Sequence, residues 1–159
     1  LRRLGSAFDG AGARPGDYYP EELRDEIDAL NQRIYDRVNN GVYKAGFATT
    51  QAAYEESVYP LFDTLDELEE RLSGRRYLTG DRLTEADIRL FTTLLRFDPV
   101  YHGHFKCNLR RITDYPTLSR LVRETCDVVA GIPMLWRDRI CEARSLSREF
   151  AMPLAVLGV

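Results

Sequence analysis

From Pro20 onward, apolar residues recur at spacings of three and four. Leu23, Ile27, Leu30, Ile34 and Val38 form one such stripe, with Glu21 and Glu22 at its start. This is the pattern of an amphipathic helix that buries one face. Asn39-Asn40-Gly41 is expected to end it, because Asn and Gly accept the left-handed conformation with which helices commonly close, and Gly46 is expected to supply a second loose joint. A second stripe runs through Tyr54, Val58, Leu61, Phe62, Leu65, Leu68 and Leu72 to Ser73-Gly74. Pro60 lies inside it, and a proline there removes one backbone hydrogen bond and crowds the preceding turn, so the run predicts a kinked long helix or two abutting helices. The polar side of this run, Asp63 to Arg71, reads as a solvated face.

The clearest local signal is Leu83-Thr84-Glu85-Ala86-Asp87-Ile88. Thr84 and Asp87 have the spacing of a reciprocal N-terminal capping box, with Leu83 and Ile88 at the flanking hydrophobic staple positions. The helix that follows, through Leu90, Phe91, Leu94, Leu95 and Phe97, is apolar around most of its circumference, which marks a central, buried helix ended by Pro99. Further helices are expected to start at Pro116 and Pro133, carrying Leu118, Leu121 and Val122, then Leu135, Trp136 and Ile140. No strand-length alternation and no repeat of 20–50 residues occurs. The predicted class is all-α, with five or more helices.

Residues 1–19 have Gly5, Gly10, Gly12, Pro15 and Gly16 and almost no apolar periodicity, so they read as a linker that follows some upstream domain. The helical domain is then expected to span 20–159. The chain opens at Leu1 with no initiator Met, which fits a longer polypeptide. A chain of 159 residues is long enough for a core, and its 44% hydrophobic and 30% charged content suits a soluble globular domain. A net charge of −3 gives no broad basic surface, so nucleic acid is not expected as a partner. No run nears the about 20 apolar residues of a membrane span, and no secretory leader is visible, so a cytoplasmic location is expected and no membrane partner. Cys107, Cys126 and Cys141 form neither a C-x-x-C pair nor an even set, which fits a reducing compartment.

Gly80-Asp81-Arg82-Leu83-Thr84-Glu85-Ala86-Asp87 resembles the capping segment of the central helix in the helical C-terminal domain of cytosolic glutathione transferases. Asn39-Asn40-Gly41-Val42-Tyr43-Lys44-Ala45-Gly46-Phe47-Ala48, with Arg96-Phe97-Asp98-Pro99-Val100-Tyr101 and Gly103-His104-Phe105-Lys106-Cys107-Asn108, is more specifically similar to the glutathionyl-hydroquinone reductases, the Xi class, close to Omega. The likeness covers about residues 6–118. It implies a glutathione transferase C-terminal-like helical bundle, joined in the complete enzyme to an N-terminal thioredoxin-like domain. That domain would bind the cosubstrate glutathione and hold the catalytic cysteine in a Cys-Pro-Trp-Ala-type motif. No cysteine here is followed by proline, so no catalytic residue is assigned within this chain. The resemblance further implies a homodimer. Beyond about Leu118 the chain departs from the family, which carries a final helix with a pocket tyrosine, whereas all nine tyrosines here precede residue 116.

A planar quinol substrate calls for aromatic faces and a few O–H or N–H groups that stabilise charge on ring oxygens. Tyr43 and His104 are the leading donor candidates, Phe47 a wall, and Tyr101 and His102 further candidates beside Pro99; ordinary structural packing is the alternative for each. His102-x-His104-x-x-Cys107 offers ligand-type side chains without a fourth partner, so no metal is expected. Lys106, Arg110 and Arg111 form a small basic group that either meets a glutathione carboxylate or is simply solvated. Two functions stay open at this point: the substrate-pocket domain of a glutathione-dependent reductase of glutathionyl-hydroquinones, and a non-catalytic helical interaction module of the same fold.

Overall fold

The computed structural model describes residues 17–129. After a turn of 3-10 helix at Glu21–Leu23 come α1 (Arg24–Arg33), a π-helical segment (Ile34–Asn39), α2 (Gly41–Gly46), α3 (Gln51–Ser73), α4 (Glu85–Arg96), a second π-helical segment (Phe97–Tyr101), a 3-10 turn (Ile112–Asp114) and α5 (Pro116–Val129). The fold is all-α: among the described residues the sole β feature is an isolated bridge between Tyr77 and Gly80. Both partners of that bridge exchange backbone bonds of 2.7 and 3.1 Å in a tight turn, for which Gly80 adopts φ +128°, a conformation glycine reaches without strain. The helix expected at Pro133 and the divergent tail lie outside the described residues, as does most of the expected linker.

One apolar core holds the elements together. Ile27, Ile34 and Val38 meet Leu61 and Leu65 of α3, Leu90 and Leu94 of α4, and Leu118 and Leu121 of α5, all essentially without solvent contact. Helix α4 is the central element, as its composition predicts, and the Thr84–Asp87 box closes its N-terminus. Asp87 is completely buried, and its carboxylate accepts from the Thr84 N–H (2.9 Å), the Thr84 hydroxyl (2.9 Å) and the Leu78 N–H (2.8 Å). One side chain therefore anchors both the helix start and the preceding turn. Burial pushes its carboxyl upward against the opposing pull of these bonds.

Three expectations about helix ends are corrected. Pro60 leaves α3 continuous over 23 residues, so the two-helix alternative falls, and the nearby Pro60 carbonyl accepts from the Thr64 hydroxyl at 2.8 Å. Asn39-Asn40-Gly41 does not end the first helical run in a left-handed turn. Asn40 stays right-handed (φ −85°, ψ −28°), and the chain passes through the π segment directly into α2. The physical reason is burial: the apolar stripe continues through Val42 and Ala45, and Gly41 is buried where a Cβ would stand 3.6 Å from that of Leu61. Packing outweighs the local preference for a cap. Pro99 likewise does not simply stop the chain after α4 but sits inside the second π segment.

Candidate functional site: an aromatic cup between two π-helical segments

Each π segment adds one residue to a helical turn and re-aims the side chains that follow, a feature common at functional sites. In the first, the Asn40 N–H bonds to the Tyr35 carbonyl (2.9 Å); in the second, the His102 N–H bonds to the Phe97 carbonyl (2.8 Å). The first segment is tied to α4 by the Thr93 hydroxyl, which donates to the Asn39 side chain at 2.9 Å. It leads into α2, which carries Tyr43, while the second ends on Tyr101. The two hydroxyls meet 2.9 Å apart, although their residues are 58 positions apart in sequence.

Around this pair the rings form a cup. Phe105 is its hub, edge-on to Tyr43 (centroids 5.5 Å), Tyr101 (5.3 Å) and Phe47 (5.5 Å), and Phe47 stacks beside Tyr43 at 6.5 Å. Gly46 makes the hub possible, because a Cβ there would stand 2.0 Å from the Phe105 ring. Its role is close approach and not the loose joint expected of it. The cup is graded in exposure: Tyr101 is 2% exposed at the floor, Tyr43 is 40% exposed, and Phe47 is 74% exposed at the rim. Edge-to-face pairs of this kind give fixed geometry beyond area burial. A 74% exposed Phe is a different matter, since it is unfavourable in water and available to a partner.

The Tyr101 hydroxyl is pushed up to about 12, chiefly by burial and then by its bond to Tyr43, with the Arg96 guanidinium, 5.9 Å from the ring centroid, pulling the other way. Tyr101 therefore stays neutral at physiological pH. Beyond Phe105 the chain turns through Lys106, the one described non-glycine residue with positive φ (59°), whose carbonyl accepts from the Tyr54 hydroxyl at 2.5 Å. An open, polar cleft of about 420 Å³ lies here, lined by Thr50, Gln51, Tyr54, Lys106 and Asn108 among others.

The structure thus brings Tyr43, Phe47 and Tyr101 together. His104 stands apart from them: it is exposed, and no ring contact joins it to the cup, although its backbone N–H bonds to the Val100 carbonyl at 2.9 Å. His102 is half-buried, and burial pushes its imidazole downward. Cys107 is completely buried beneath α2, with Sγ 3.9 Å from the Val42 carbonyl, and burial pushes its thiol up to about 12. That thiol is neither a nucleophile nor a ligand in this setting, and among the described residues no group of three or more His, Cys, Asp or Glu side chains converges on a metal position. Of the basic group, Arg110 is engaged by Asp66 at 2.6 Å and lies over the Tyr115 ring. Phe105 is the cup residue that periodicity did not single out; the signal for it is Gly46, 59 positions upstream, readable only in three dimensions.

Residues 51–124 match the family model described as glutathione S-transferase, C-terminal domain. The chain is 73% identical over 122 residues to glutathionyl-hydroquinone reductase PcpF of Sphingobium chlorophenolicum, covering 77% of this chain and 39% of that protein. It is 59% identical over 124 residues to glutathionyl-hydroquinone reductase YqjG of Escherichia coli, covering 78% of this chain and 38% of that protein. This chain belongs to the glutathione transferase superfamily.

The solved structures agree with that membership. Glutathione-bound YqjG from Escherichia coli superposes with a TM-score of 0.78 at 54% identity, over 89% of this chain and 43% of that one. Glutathione transferase Xi 1 from Trametes versicolor gives 0.74 at 57% identity, over 77% and 44%. The chain spans about two fifths of the length of the curated relatives it matches. Among its described residues no helix is long and apolar enough to cross a membrane.

Proposed function

We propose that this chain is the substrate-pocket domain of a glutathione-dependent reductase of glutathionyl-hydroquinones, and that the aromatic cup receives the quinol ring. The observation that carries this reading is the cup itself: a graded set of aromatic faces with a half-exposed phenol at its centre suits a planar ligand bearing ring oxygens. The similarity to PcpF and YqjG across most of the chain supports the same substrate class. Tyr43 donates to a quinol oxygen, Phe47 covers the ring, Tyr101 supports Tyr43 from beneath, and His104 stays on the exposed loop outside the cup.

In this reading residues 1–19 link the domain to an N-terminal thioredoxin-like domain that holds glutathione and a reactive cysteine. The cysteine thiolate attacks the sulfur of the glutathionyl-hydroquinone, the bond from sulfur to the ring carbon breaks, and that carbon takes a proton as the hydroquinone leaves. A second glutathione then resolves the enzyme–glutathione disulfide, giving oxidised glutathione and the free thiolate. The pocket domain contributes charge stabilisation at the ring oxygens. The complete protein works in the cytoplasm as a homodimer.

The test is a chromatographic assay of glutathionyl-hydroquinone and glutathione with the chain alone and with the chain joined to such a domain. Cysteine-dependent hydroquinone release is expected from the joined protein and not from the chain alone. Turnover by the chain alone, or none by the joined protein, would overturn the assignment.

A further inference from the structure

The hydroxyls of Tyr43 and Tyr101 share one hydrogen bond, and their surroundings decide which one donates. Tyr101 is buried, its ring enclosed by Phe97, Phe105 and Tyr43, and Tyr43 is the hydroxyl's hydrogen-bond partner among the described residues. A buried hydroxyl that kept its hydrogen out of this bond would leave it unsatisfied. Tyr43, half-exposed, can send its own hydrogen outward to water or ligand without such a loss. Arg96 over the Tyr101 ring strengthens Tyr101 as a donor by drawing charge from its oxygen.

We infer that Tyr101 is a positioning residue: it donates its hydroxyl hydrogen to the Tyr43 oxygen, which fixes the Tyr43 hydroxyl and aims its O–H at the mouth of the cup. Tyr101 then acts on a bound ring through Tyr43 and not by touching it. The polarised Tyr43 O–H becomes the better donor to a developing ring oxyanion, because a hydrogen bond received at its oxygen supports the charge it acquires as it donates. The substrate side of this inference rests on the reading of the cup as a quinol pocket; the direction of the bond does not.

The direction is read on the full 159-residue chain at neutral pH by NMR with ring-labelled tyrosine, using Tyr43→Phe and Tyr101→Phe to assign the rings. A slowly exchanging hydroxyl proton correlated with the Tyr101 ring, and lost or moved upfield in Tyr43→Phe, is the expected result. A protected proton on the Tyr43 ring, no protected hydroxyl on either ring, or a Tyr101 signal unchanged in Tyr43→Phe would overturn the inference. In the joined enzyme, Tyr101→Phe should lower kcat for a glutathionyl-hydroquinone by about fivefold or more, with little effect once Tyr43 is already Phe, since a residue acting through another shows such non-additivity. Equal losses in both backgrounds would mean that Tyr101 only packs. Absence of quinol turnover in the unmutated enzyme would remove the substrate reading, while the hydroxyl spectrum would still decide the pair.

Discussion

Replacing Asp87 by Ala tests the anchor on which the central helix depends. The carboxylate is fully buried and accepts two backbone N–H groups, from Leu78 and Thr84, besides the Thr84 hydroxyl. Thr84 has a second neighbour, because its hydroxyl oxygen lies 3.2 Å from that of Thr79, whereas the Leu78 and Thr84 N–H groups are both bonded to this carboxylate. Each stranded buried donor costs about 1–3 kcal/mol and the lost cap about 1 kcal/mol more, offset by relief from burying a charge. The net loss should be on the order of 3 kcal/mol, which for a urea slope of about 2 kcal/mol/M moves the unfolding midpoint down by roughly 1.5 M. Burial raises the Asp87 carboxyl above its unfolded value, so the stability it contributes is fully present below the unfolded value and declines as pH rises through the folded one. The gap between the parent chain and Asp87→Ala is therefore widest below the unfolded carboxylate value and narrows as pH rises through the raised folded one. Asp87→Asn, which keeps one acceptor and no charge, should fall between the two. If urea titrations put both variants within about 1 kcal/mol of the parent, the carboxylate is not the anchor.

Three further outcomes follow from the same structure. Gly46→Ala puts a Cβ into the Phe105 ring and should cost about 1–3 kcal/mol with an altered near-ultraviolet circular dichroism spectrum, whereas an unchanged spectrum would mean the ring is not held there. Cys107, buried and held as a thiol up to about 12, should resist iodoacetamide at pH 8 in the folded chain and react once urea is added; mass spectrometry of the peptides reads both states. Far-ultraviolet circular dichroism of the chain should be dominated by helix, and a strand- or coil-type spectrum would contradict the fold.

Helix identity was legible because the apolar stripes of α1, α3 and α4 have the right period and the Thr84–Asp87 spacing marks a start. What could not be read locally was how elements continue. Asn39-Asn40-Gly41 has the chemistry of a terminator, yet Val42 and Ala45 extend the buried stripe, and tertiary packing keeps the backbone right-handed. The same limit applied to the site. Tyr43, Phe47 and Tyr101 were identifiable from the motifs that carry them, but the contact between Tyr43 and Tyr101 spans 58 positions and depends on two π segments that no periodicity announces. Phe105 stayed hidden because its partner is the missing side chain of Gly46. His104, chosen for its chemistry, lies on the exposed side of the loop, where residue type alone could not place it.

The most direct test of the quinol pocket is a paired measurement on the joined enzyme and its Tyr43→Phe variant, with a glutathionyl-hydroquinone and with a small non-aromatic mixed disulfide of glutathione. The substitution keeps the ring and its contacts to Phe105 and Phe47 and removes only the hydroxyl. If that hydroxyl stabilises charge on the quinol oxygen in the transition state, kcat/KM for the aromatic substrate falls about tenfold to a hundredfold, or about 1.4–2.7 kcal/mol, while the mixed disulfide is processed as before. Equal losses on both substrates, or no loss on either, would contradict the assignment of the cup as the quinol site.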